Sequence, residues 1–143
     1  MITIPMKEDT QEKERPRPIR YIAMTGISAH SCRRMKALLK QSKFYCLVDC
    51  YKNITALEDN DTFYIPDCVI ITIRSVFDLV AIRSRIERLE QRFPGMKVAI
   101  YYDTIKRYRL AESKNSSFSQ FHAKDEPGKQ LKVLEDLLEQ RVA

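Results

Sequence analysis

Only three glycines occur in the 143 residues, Gly26, Gly95 and Gly128. No phosphate-cradling loop or dinucleotide fingerprint can be written with so few, which excludes nucleotide binding of that kind. Histidine is equally scarce, with His30 and His122 alone, and the four cysteines, Cys32, Cys46, Cys50 and Cys68, contain no C-x-x-C pair. Such a set does not make a zinc site. No run approaches the ~20 apolar residues of a membrane span, and the N-terminus lacks the basic, apolar and small-residue order of a secretion signal. A cytoplasmic protein without membrane contact is expected. Its cysteines should be reduced, with Cys46 and Cys68 acting as small buried hydrophobes. There is also no internal repeat and no long block of one charge.

What remains is enough for one domain. With 44% apolar residues the chain can bury a real core, and it is too short for two ordinary domains. The 25 Lys and Arg against 19 Asp and Glu give +6, which permits an acidic or nucleic-acid partner without requiring one. The cations are spread over 15–20, 33–43 and 106–109, as on solvated helix faces.

Residues 1–18 are assigned to a flexible polar leader, because "KEDTQEKERPRP" is dense in charge and carries Pro16 and Pro18. From Ile19 the pattern alternates between strand and helix. "IRYIAM" is a strand ending at Thr25-Gly26, and Ser28 caps a helix with Cys32, Met35 and Leu39 on its apolar side. "FYCLVDCY" is a second strand, and a short helix follows over 54–59. "CVIITI" is a third strand, apolar on both faces as in the middle of a covered parallel sheet. Ser75 and Asp78 form a capping box, followed by one helix with Leu79, Ile82, Ile86, Leu89 and Phe93 at 3,4 spacing. Pro94-Gly95 ends it before a fourth strand, "KVAIYY". A helix around Ile105, Tyr108 and Ala111, a short fifth strand "FSQFHA" and a last helix opened by Pro127 complete the pattern. The expected fold is α/β over 19–143: a doubly wound, five-stranded parallel sheet with helices on both faces. Its chemistry belongs at the strand C-termini.

Three stretches, "PDCVIITIRS", "SRIERLEQRFPGMKVAIYY" and "FSQFHAKDEPGKQL", occur in an order and spacing that resemble the receiver domains of response regulators. The likeness is strongest to receivers that precede a LuxR-type helix-turn-helix, and it covers about Ile19 to Arg141. Such receivers hold Mg²⁺ on an acidic pair after strand one and on an aspartate ending strand three, which accepts phosphate from a histidine kinase. Hard oxygen ligands and an anionic nucleophile are what that chemistry requires. The resemblance puts Thr25 and Gly26 at the acidic pair, Thr72 at the acceptor, Tyr102 at the small switch hydroxyl and Lys124 at the lysine. It therefore implies a degenerate phosphorylation pocket with no catalytic residue, metal or cofactor. Asp103 is a candidate partner for Lys124. Asp67 lies at the wrong end of its strand, and Asp103 is one carboxylate without co-ligands, so neither substitutes as acceptor.

The function expected on that basis is a non-phosphorylated pseudo-receiver of a bacterial transcriptional or signalling regulator. It would act by homodimerisation or by contacts with other signalling or transcription proteins, and would meet DNA only through an attached or partner DNA-binding domain. Its interaction face is assigned to Lys106, Arg107, Tyr108 and Arg109 with Leu131, Leu134 and Leu138, the apolar excess of the last helix being the motive. The alternative is an atypical receiver that still takes a phosphoryl group, or binds a small ligand, in the strand C-terminal crevice. Against it stands the lack of a carboxylate, Cys-His or Ser-His pair at those strand ends. Direct nucleic-acid binding by the four residues at 106–109 is a third and lesser reading.

Overall fold

The computed structural model describes residues 16–26, 28–59, 65–80, 82–104 and 118–139. Five strands, β1 (Ile19–Thr25), β2 (Tyr45–Tyr51), β3 (Cys68–Ile73), β4 (Lys97–Tyr102) and β5 (Phe118–His122), form one sheet in the order β2-β1-β3-β4-β5. Every pairing is parallel. This is the doubly wound architecture that the strand and helix alternation implies.

Among the described residues the helices are α1 (Ala29–Leu39), α2 (Ile54–Glu58), α3 (Val76–Leu79), α4 (Ile82–Arg92) and α5 (Pro127–Glu139). The Ser28 hydroxyl accepts from the Ser31 amide at 3.1 Å, which caps α1. Two apolar clusters fill the two sides of the sheet. One joins Met35 and Leu39 of α1 and Leu134, Leu137 and Leu138 of α5 to Ile22, Ile70 and Tyr101. The other joins Leu57, Ile82, Ile86, Leu89 and Phe93 to Val69, Ile71, Ile100 and Tyr102. All six residues of β3 are buried, as a central strand requires. At about 1.5–3 kcal/mol for each fully buried large side chain, these layers carry the fold.

Polar contacts fix the helices. Arg20 is buried, donates from Nε to the Leu138 carbonyl at the end of α5 (3.1 Å), and lies 4.4 Å from the Phe44 ring centre. A cation there suits the negative end of the helix dipole. Glu135 accepts from the Ser42 hydroxyl (3.2 Å) and the Lys43 amide (2.9 Å), so α5 is tied to the turn before β2. Arg88 on α4 meets Glu58 on α2 at 2.6 Å.

Three expectations change. The helix read as continuous from Ser75 is broken at Val80, whose backbone is extended (φ −66°, ψ 129°). Asp78 accepts from the Arg74 and Ser75 amides (2.8 and 3.2 Å) and so serves its own single turn, while the core stripe starts again at Ile82. The cysteines are not all thiols, because Cys32 on α1 is disulfide-bonded to Cys50 on β2. The crossover brings the first turn of α1 over the C-terminal half of β2, and Cys46 and Cys68 stay free. Finally, Leu134 and Leu138 belong to the core under α5 and Leu131 is half-buried against it, so this stripe is not an interaction face. Lys106 to Arg109 lie outside the described residues, as do residues 1–15 of the leader. Arg17, within the assigned leader, donates to the Ser42 carbonyl at 3.2 Å.

Among the described residues, no helix is long and apolar enough to cross a membrane. Leu134→Ala should lower stability by about 3 kcal/mol in urea unfolding, as for a cavity in a packed core. A loss below about 1 kcal/mol would return that leucine to the surface.

Candidate functional site

The C-termini of β1, β3 and β4 meet at one edge, roofed by the start of α1. Gly26 has φ +72°, a left-handed conformation suited to glycine, and its amide donates to the Tyr51 carbonyl at 3.2 Å. A Cβ built there would lie 3.6 Å from the Thr72 carbonyl oxygen and 3.9 Å from Thr72 Cβ. The backbone thus brings Thr25, Gly26 and Thr72 together, as the resemblance implies. Their side chains, however, do not converge.

Thr25 is buried and donates its hydroxyl to the Ile70 carbonyl at 3.3 Å, within the sheet. Thr72 pairs in register with Tyr101, whose ring belongs to the α1 and α5 side. Tyr102 points to the opposite side, against α2 and α4, where its hydroxyl bonds Gln120 Oε1 and its ring stacks on His122 at 4.7 Å. The switch position assigned to Tyr102 therefore does not face Thr72, since neighbouring strand residues alternate faces. Tyr101 does, one residue earlier.

Asp103 is engaged elsewhere than expected. Ser31, on the first turn of α1, donates its hydroxyl to Asp103 Oδ2 at 2.9 Å. Lys124 is exposed in the β5 to α5 turn and forms no ion pair with Asp103. A lysine that reaches inward needs a buried anion, and Thr72 supplies none. Asp67, at the other end of β3, accepts from the Tyr21 amide at 2.8 Å.

The electrostatics follow from burial. Thr72 is 6% exposed, and its Oγ1 has no hydrogen-bond partner among the described residues. The Tyr101 hydroxyl is pushed up from its ordinary value, first by burial and then by the nearby Asp103 carboxylate, with Arg34 opposing. The Cys68 thiol is also pushed up, mainly by complete burial and then by Asp67, so it is an inert core group. Among the described residues no three His, Cys, Asp or Glu side chains converge as metal ligands would.

Beside this edge stands a feature that periodicity hid. Val76, Phe77 and Val80, on and just after the turn that follows β3, are 51%, 81% and 64% exposed. Reading one long helix absorbed them into an amphipathic pattern. The signal available was that Val76 and Phe77 precede the 3,4 stripe.

The fold and the edge together define a receiver-like α/β domain. In a comparison with solved structures, the pilus assembly protein CpaE from Caulobacter crescentus CB15 is similar, with a TM-score of 0.56 over 85% of this chain and 94% of that one. The two sequences are 14% identical, so the likeness is one of fold. No protein-family model matches the chain, and no curated protein does.

Thr72→Val should raise stability by about 1 kcal/mol, because it replaces an unsatisfied buried hydroxyl with a methyl of the same shape. A loss of stability in urea unfolding would reveal a partner for that oxygen. Tyr101 sets an alkaline limit. Its hydroxyl titrates higher in the fold than in the unfolded chain, so its stabilising contribution is complete below about pH 10 and disappears as pH rises through the folded value. Tyr101→Phe should remove this part of the alkaline destabilisation, read as the wild-type minus variant difference in urea midpoint between about pH 9 and 11.

Proposed function

We propose that the chain is a receiver-like module that takes no phosphoryl group and acts through protein contacts in a bacterial signalling or transcriptional regulator. The observation that carries this reading is Thr72 at the end of a wholly buried central strand, with Gly26 packed over it and Asp103 held by Ser31. Among the described residues this edge holds one carboxylate, Asp103, already bonded to Ser31, which leaves no anionic group at the acceptor position and no set of hard oxygen ligands for Mg²⁺. The Ser31 hydroxyl is spent on Asp103 as a tie between α1 and the end of β4, which favours a binding role over an enzymatic one.

The exposed Val76, Phe77 and Val80 supply an apolar surface beside the strand C-terminal edge, of the kind that marks a partner contact. With the leucines of α5 spent on the core, this turn is the better seat for the contact, including a pair of copies of this chain. DNA would be reached through an attached or partner domain. The likeness to CpaE supports the receiver-like fold alone and extends no pilus role to this chain.

Incubation with Mg²⁺ and acetyl phosphate should leave the intact mass unchanged, and sedimentation of the same sample should show a dimer that Phe77→Asp dissociates. A stable added phosphoryl group refutes the first half of the reading. A wild-type monomer at high concentration refutes the proposed self-contact.

A further inference from the structure

The outer edge of the sheet at β2 suggests a second surface, unrelated to the strand C-termini. Among the described residues β2 pairs with β1 alone, in the order β2-β1-β3-β4-β5. The Tyr45 amide donates to the Pro18 carbonyl (2.8 Å) and the Tyr51 carbonyl accepts from Gly26 (3.2 Å), so the odd-numbered residues of this strand face β1. The amides and carbonyls of Cys46 and Val48 therefore face outward. Soluble proteins commonly guard such an edge with lysine, proline or a bulge. Within Tyr45–Tyr51 there is neither proline nor lysine, the one charged residue, Asp49, lies on the face opposite Cys46 and Val48, and Tyr45 and Leu47 are 53% and 38% exposed.

Beside that edge lies a groove of about 470 Å³ between α1 and β2. Its floor is Leu39, Phe44, Cys46 and Val48, and Arg17, Lys36 and Lys40 border it, all three exposed cations. A second copy laid edge to edge would bring these cations against their own kind. Like charges disfavour that arrangement.

The geometry points to an acidic peptide segment of a partner protein as the occupant. It adds a strand to the outer edge of β2, seats an apolar side chain over Phe44 and Val48, and sets carboxylates against Arg17, Lys36 and Lys40. Main-chain bonds supply affinity in this mode, and the groove and its charge supply selectivity.

The test uses the full chain and a synthetic eight-residue peptide, Glu-Thr-Val-Thr-Glu-Thr-Val-Thr, which as a strand sets Glu and Val together on one face, beside the same peptide with Lys for Glu. Titration followed by ¹⁵N amide shifts should give sub-millimolar binding of the acidic peptide, with the Cys46 and Val48 amides moving most and the lysine peptide inert. The double variant Lys36→Glu, Lys40→Glu should weaken binding about tenfold or more. Val48→Pro should abolish it while the far-ultraviolet spectrum and melting temperature hold, because that amide faces away from β1. If Val48→Pro unfolds the chain, the charge-reversal variant alone decides. Binding that ignores charge reversal overturns the proposal. So does preference for anionic vesicles of phosphatidylglycerol over the peptide, or shifts of the β2 amides that track protein concentration and not peptide.

Discussion

A strand with every side chain buried cannot end in an unpaired charge, and β3 is such a strand. The rest of the molecule is arranged around that constraint. Val69, Ile71 and Ile73 serve one apolar layer, and Cys68 and Ile70 serve the other, so β3 is the partition between two cores. Placing a carboxylate at Thr72 without a metal, a lysine or amide donors would cost several kcal/mol, a large share of the stability of a domain this size. Threonine leaves one buried hydroxyl unpaired, a smaller penalty of about 1–3 kcal/mol. Gly26 can then close over the strand end, and Asp103 can turn to the first turn of α1.

The same partition explains why the two faces end differently. On the α1 and α5 side the layer is locked at its margin by Arg20 on the end of α5 and by Glu135 on the turn before β2. These ties sit at one end of the sheet, and the Cys32 to Cys50 bond sits near the other, so α1 is held at both ends. On the opposite side, α2 has five residues and reaches only the C-terminal half of β1 and β2. Ile19, Tyr45 and Leu47 are left in solvent there, since the register puts them on that face beyond the helix.

Much of this was legible from periodicity. The five strands, the parallel order and the buried middle strand follow from alternating short apolar runs and amphipathic helices, because burial on both faces leaves a continuous apolar signature. The site was legible only as a set of positions. That Thr25, Gly26 and Thr72 meet could be expected from three strand ends, but their side-chain directions depend on register. A shift of one residue is enough to exchange Tyr101 for Tyr102. The leucines of α5 looked like a surplus because a pattern shows an apolar stripe without showing what covers it. The break at Val80 was invisible for the opposite reason: Leu79 continues the 3,4 spacing although its backbone turn belongs to α3. The cysteine pair was unreadable, since 18 residues and a crossover separate Cys32 from Cys50 and no local spacing marks them.

Closure of the strand C-terminal edge bears on how such a module could be switched. A phosphorylated receiver changes its outer turns because a charge forms inside and pulls a hydroxyl and a lysine toward it. Here Lys124 faces solvent, Tyr102 is bonded to Gln120 on the far side, and Thr72 has no charge to offer. Under the proposed reading no internal event can drive the turn that carries Val76, Phe77 and Val80. That turn is held by Asp78 on two amides (2.8 and 3.2 Å), by its own two backbone bonds and by half-buried Leu79 against the core, and none of its residues is fully buried. So weakly anchored a segment responds to whatever binds it, and a partner needs only a modest preference for one conformer to shift its population. Under the proposed reading control runs from the surface inward, and the buried strand serves as a fixed support for contacts made outside it.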